Sequence, residues 1–173
     1  AAAALRGAGA QVRSTLLGIV RDEEALASLV CEAVRTLAVT PSIGHEDVAE
    51  VASDAARPWP QRQVAIRALA DPQCPGTQLL VGLAASKEPR VRAAAAEAIA
   101  ERGDANQGGT LASLLTDSWP DVRRAALHGL ERLGLVMQNL AGVIGRLADA
   151  DPRIVCEAAR LIGAQGKSAL TSS

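Results

Sequence analysis

Val30-Cys31-Glu32-Ala33 returns unchanged as Val155-Cys156-Glu157-Ala158, and in each copy an arginine follows two residues later, Arg35 and Arg160. The 125 residues between the copies divide into steps of 32, 30, 31 and 32. Each step lands on a looser copy: Arg62 leads to Ala65 and Leu69, Arg92 to Ala95 and Ile99, Arg123 to Ala126 and Leu130. A unit of this length at near-constant spacing marks a repeat array. One such unit cannot bury its apolar face alone and needs a neighbour stacked on it.

Working outward from the quoted stretch, each unit reads as two helices. The second, helix B, follows a turn marked by Pro60, Pro89, Pro120 or Pro152. Proline suits a first helical turn, where its missing N–H would have no intrahelical acceptor. Apolar positions then recur at i, i+4 and i+8: Val91, Ala95 and Ile99; Val122, Ala126 and Leu130; Ile154, Ala158 and Ile162. That spacing puts them on one helix face, with small Ala at the centre to admit a close neighbour. Gly103, Gly134 and Gly166 sit four residues beyond, where a glycine ends a helix. The first helix of each unit, helix A, carries its own stripe. These are Val12, Leu16, Ile19 and Val20; Leu79, Leu80 and Leu83; Leu111, Leu114 and Leu115; and Val136, Leu140, Val143, Ile144 and Leu147. The copy around Val48 and Val51, flanked by Pro41 and Pro58, is the weakest, and predicts an irregular or tilted helix.

Composition excludes several classes. Hydrophobic residues make up 49% of the 173, yet aromatics only 1%, so the core must be built from Ala, Leu, Val and Ile. Ala and Leu favour helix, and strand-favouring aromatics are almost missing, which argues against an all-β fold. The net charge of −1, from 18 basic and 19 acidic residues, offers no basic excess for nucleic acid. No apolar run reaches the roughly 20 residues that span a bilayer. Residues 1–20 contain no continuous apolar segment of signal-peptide type. Cys31 and Cys156 lie four repeat steps apart. With packed helices about 8–10 Å from axis to axis, the two cannot pair within one chain. Reduced thiols in a cytoplasmic protein are the reading.

The strings Glu88-Pro89-Arg90-Val91-Arg92-Ala93-Ala94-Ala95 and Trp119-Pro120-Asp121-Val122-Arg123-Arg124-Ala125-Ala126 resemble HEAT repeats, in particular the bacterial subclass called phycobilisome-lyase-like. Asp151-Pro152-Arg153-Ile154 is similar but carries Val155 where the pattern has arginine. The resemblance extends over residues 9–166 and implies a right-handed α-solenoid of about five helix pairs, at 9–40, 41–71, 72–103, 104–134 and 135–166. By the same register, residues 1–8 read as the remnant of a preceding B helix, so a longer solenoid is expected, and 167–173 read as a frayed tail. An uncapped N-terminal end predicts either self-association through that end or docking against upstream residues of a longer chain. The resemblance also implies a ladder in which the B-helix arginine, here Arg62, Arg92 and Arg123, stacks with acidic residues of neighbouring repeats. Asp117 is a plausible rung. Val30 and Val155 interrupt it at both ends.

HEAT B helices line the concave side of the superhelix, as the resemblance implies, so their polar face is the expected contact surface. One repeat-equivalent column along it is Arg35, Arg67, Glu97, His128 and Arg160. Arginine forks match carboxylates, so an acidic peptide or protein is one reading of that column; a solvated helix face is the other. Trp59 and Trp119, each just before a proline, read either as exposed anchors for a partner or as packing across helices A and B. His45-Glu46 invites comparison with HEAT-type deoxyhypusine hydroxylase, whose iron chemistry needs several His-Glu pairs. The chain has one such pair, at an A-helix start where Glu46 and Asp47 suit the helix dipole. The subclass includes enzymes that attach or remove tetrapyrrole chromophores, but no nucleophile–His–acid spacing, metal-ligand cluster or phosphate-cradling loop is legible. Gly108-Gly109 reads as a turn. A thiol role for Cys31 or Cys156 stays open. The sequence therefore predicts a scaffold with no cofactor, metal or catalytic residue, binding a protein or peptide. A chromophore lyase or chaperone is the alternative, and a HEAT protein that binds damaged DNA a third.

Overall fold

A computed structural model describes residues 2–22, 25, 27–39, 45–72 and 76–171. The described residues are all helix and turn, with no β-strand among them. Five A–B pairs follow one another in the chain. These are α1 (Ala2–Arg21) and α2 (Ala27–Val39), α3 (His45–Ser53) and α4 (Trp59–Ala68), α5 (Thr77–Ala84) and α6 (Pro89–Arg102), α7 (Gly108–Leu114) and α8 (Pro120–Arg132), and α9 (Leu140–Gly145) and α10 (Pro152–Thr171). The chain is thus the array of helical hairpins that its period predicts. It forms two compact units, Ala1–Leu80 and Val81–Ser173. In the first, α2 packs on α1, α3 and α4, and α3 on α4. In the second, α8 is the centre, touching α6, α7 and α10, while α9 packs on α10.

The core follows the stripes read from the sequence. Val91, Ala95, Ile99, Val122, Ala126, Leu130, Ile154 and Ala158 are all buried. In α10 the third position is Leu161, which is buried, rather than Ile162, which is half-exposed. Every buried Leu or Ile contributes about 1.5–3 kcal/mol. Trp59 is half-buried and Trp119 exposed, so the described core is aliphatic, as the composition requires.

The B-helix starts share one device. Pro89, Pro120 and Pro152 open α6, α8 and α10, whereas α4 opens at Trp59 with Pro60 inside its first turn. Three residues before each of the other prolines stands Ser86, Asp117 or Asp149. Each side chain accepts a backbone N–H two residues on, from Glu88 at 3.2 Å, Trp119 at 2.9 Å and Asp151 at 3.0 Å. Such turns hold the chain out of helix until the proline.

Several elements differ from the sequence reading. α3 is a regular nine-residue helix, because Val48, Val51 and Ala52 are fully buried and packing overrides its poor flanks. α1 is one continuous helix from Ala2 to Arg21, with no break after residue 8. Gly103 and Gly134 do end helices, at φ of 77° and 68°, but Gly166 lies inside α10, which continues to Thr171. The stripe from Val136 to Leu147 is not one helix. A turn holds Val136 and Met137, α9 spans six residues, and a 3-10 turn takes Arg146–Ala148. Ile144 and Leu147 are consequently exposed.

Candidate partner-binding face on the B helices

The arginine ladder is the best-defined electrostatic feature of the second unit. Arg92 donates from Nε and Nη2 to the two carboxylate oxygens of Asp117 at 2.7 and 2.8 Å. Its Nη1 donates to the carbonyls of Ser86 and Lys87. One repeat later Arg123 does the same, gripping Asp149 at 2.8 and 2.6 Å and donating to the carbonyls of Asp117 and Ser118. Each arginine therefore ties the turn of its own repeat to the acid of the next. Burial pushes the Asp117 carboxyl up. The Arg92 hydrogen bond, the Trp119 N–H and the charges of Arg92 and Arg123 together bring it below the ordinary Asp value. Asp149 is also lowered, chiefly by the Arg123 hydrogen bond.

Asp117 is a rung, as expected, but the arginine that grips its carboxylate is Arg92 of the preceding repeat. Asp149 was not singled out from the sequence. Its signal was there, since it stands three residues before Pro152 just as Asp117 stands before Pro120. Ser86 fills that position before Pro89. In the first unit Arg62 is buried, donates Nε–H to the Ala52 carbonyl at 3.3 Å, and lies 5.9 Å from the Trp59 ring centroid.

The ladder is inward-facing; the column expected to meet a partner is not. Arg35, Arg67, Glu97, His128 and Arg160 are all exposed. Arg35 is paired with Glu32 on its own helix at 3.2 Å. In the second unit Glu97 and His128 lie on one groove of roughly 310 Å³ between α6 and α8. Ala100, Ala125 and Gly129 form its small-residue floor, and Glu97, Glu101, His128, Glu131 and Arg132 its polar walls. A Cβ on Gly129 would lie 2.8 Å from Leu111 Cδ1 and at an ordinary 3.5 Å from the Ala100 Cβ, so the glycine sets how closely α8 approaches α7.

Arg160 stands beside this groove with its charge already engaged. It donates to both oxygens of Glu131 at 2.9 and 2.7 Å and to those of Glu157 at 3.2 and 2.7 Å. Those hydrogen bonds raise the Arg160 pKa further, and the one to Glu157 lowers that carboxyl. His128 Nε2 lies 3.7 Å from Glu157. His128, Glu131 and Glu157 thus bring potential metal ligands within 4.8 Å of one another, with the Arg160 guanidinium satisfying both carboxylates. Neither glutamate was singled out from the sequence, although Glu157 belongs to the repeated opening string.

Of the two tryptophans, Trp119 is the N-cap of α8 and 53% exposed, while Trp59 packs beside Arg62. Cys156 is an exposed free thiol. The side chains of Cys31, His45 and Glu46 lie outside the described residues. Among the described residues no helix is long and apolar enough to cross a membrane.

Residues 52–131 match the family model for HEAT repeats. No curated protein matches the chain. Among solved structures it is similar to the complex of CpcE and CpcF of phycocyanin lyase from Nostoc sp. PCC7120, with 19% identity and a TM-score of 0.61. That likeness covers 87% of this chain and 63% of the other, so the chain spans less than two thirds of that relative. A designed armadillo repeat protein in complex with the peptide (KR)4 is similar at 17% identity and TM-score 0.55, covering 86% and 80%. An engineered protein follows at 21% and 0.54, covering 87% and 77%. At these identities the likeness is one of fold.

Proposed function

We propose that this chain, a HEAT-repeat protein, is a non-catalytic cytoplasmic scaffold that binds a protein or peptide along the polar face of its B helices. The observation that carries the reading is the groove between α6 and α8, a small-residue floor under charged, exposed walls on that face. Two similar structures are assemblies, one of CpcE with CpcF and one of a designed repeat protein with a peptide. Within the second unit the exposed Glu97, His128 and Arg160 are the candidate contact residues, as Arg35 and Arg67 are on the first, and Trp119 is a candidate anchor of the second, since an exposed Trp is a strong contact residue. An exposed thiol at Cys156 suits a reducing compartment. The test is capture of a defined partner by the immobilised chain. Charge reversal at Arg67 and Glu97 should weaken capture, and reversal at Glu50, on an A helix, should not. Equal capture by all variants moves the binding site elsewhere.

The phycocyanin lyase likeness favours one second reading, a chaperone or lyase for tetrapyrrole chromophores. Titration with a bilin decides it: a shift of the visible absorbance band supports the reading, and an unshifted band removes it.

A further inference from the structure

We infer that copies of this chain join head to tail, the α1–α2 hairpin of one stacking on the α9–α10 hairpin of another through the positions that join neighbouring repeats within the chain. This surface is separate from the polar B-helix face and does not depend on the scaffold reading. Three observations carry it.

The first is where apolar side chains stay open. Among the described residues, the large hydrophobic side chains left exposed are Val12 and Leu29 in the first repeat, Met137, Ile144 and Leu147 in the last, and Trp119. Repeat arrays stay soluble when their terminal repeats turn a polar face outward; here both turn out apolar groups. The second is register within the second unit. Leu115 is 1% exposed, and a Cβ on Gly142 of α9 would lie 2.8 Å from its Cδ1. Leu127 and Leu130 of α8 are fully buried, and α8 packs on α10. One step of 32 residues on, the same three positions are Leu147, Ala159 and Ile162. Leu147 and Ala159 are exposed and Ile162 half-exposed, so α9–α10 presents the surface by which the preceding repeat holds it. Val155 replaces the ladder arginine there, so a docked hairpin need bring no acid. The third is the other half of the contact. Leu29 is 49% exposed, whereas its counterparts Gln61, Val122 and Ile154 are buried. Gln61 lines a groove with Val20 and Arg21 of α1, so this position faces the preceding repeat. α1–α2 thus opens the side that receives a predecessor, and α9–α10 the side that receives a successor. Two complementary but different faces make a contact that repeats from copy to copy rather than closing as a symmetric pair.

Sedimentation velocity of the full chain at rising concentration tests this. The mass should climb past that of a dimer and stay high in added salt, since the contact is apolar. Leu29→Glu alters the head, and Leu147→Glu with Ala159→Glu alters the tail. All three side chains are exposed, so circular dichroism should show both variants folded. Each variant should associate at least about tenfold more weakly. A 1:1 mixture of the two should form dimers and nothing larger, because one intact head and one intact tail remain. Trp119→Ser should leave the mass unchanged. A parent chain that stays monomeric overturns the inference, as does association that survives the head or the tail substitutions or is lost with Trp119→Ser. A dimer that only the tail substitutions abolish means that the α9–α10 face pairs with itself, and overturns the head-to-tail order.

Discussion

Asp149 is gripped by Arg123 with its side chain 1% exposed, so the value of that rung lies in what its loss would leave behind. Removing one partner of a buried pair strands a charge, at about 3–5 kcal/mol. Arg123→Ala should accordingly lower the unfolding free energy of the second unit by about that amount, read from urea denaturation. Arg153→Ala, at a surface pair with Asp151, should leave the midpoint almost unmoved. The pH dependence has a definite sign. Asp117 and Asp149 titrate lower in the folded protein than their ordinary value of about 3.9. Their contribution is therefore complete above that value and is lost as pH falls through the lowered folded values. Between neutral pH and pH of about 3, Asp149→Asn should flatten the fall in melting temperature that the parent shows; an unchanged slope would mean that the rung does not couple to folding. The arginines of this ladder were legible from the sequence because they recur with the period. Their acids were only half legible, since Asp117 and Asp149 are also turn formers and look like ordinary caps.

Helix α8 shows how an element acquires its precise seat. Its length is set locally, by Pro120 at the start and by Gly134 at φ 68° beyond the end, where Leu135 N–H reaches back to the Leu130 carbonyl at 2.8 Å. Its depth is set by Gly129, where a methyl group would press on Leu111, itself fully buried. Gly129→Ala should therefore destabilise by about 1–3 kcal/mol, even though alanine is the better helix former by about 1 kcal/mol. Gly109→Ala in α7 is the control. A Cβ there meets nothing within 4 Å, so it should stabilise by about 0.4–1 kcal/mol. Equal effects of the two in thermal melts would mean that α8 does not need the close approach. The stripe from Val136 to Leu147 failed as one helix for a related reason. Gly142 and Gly145 weaken it, a Cβ on Gly142 would press Leu115 Cδ1 at 2.8 Å, and only a short helix is buried.

For the whole molecule, helical repeats gain stability chiefly from neighbours, so damage should stay near its source. The two compact units sharpen that expectation. Arg123→Ala should speed amide exchange across α6, α8 and α10 while α2 and α4 exchange nearly as before, as hydrogen-exchange mass spectrometry would resolve; equal acceleration in both would make the chain one cooperative block. The sequence by itself determined the repeat period, the helical class, most of the aliphatic core and which face of each B helix is polar. All of these follow from spacings within one helix or one repeat, which a linear pattern records. Only the tertiary structure decided which charges pair. Arg160 meets Glu131 from 29 residues away, and Arg92 and Arg123 meet their acids across 25 and 26. Which charges cancel and which remain depends on how far each helix is rotated and how closely it packs, and those are settled by side-chain volumes at contacts such as Gly129 with Leu111.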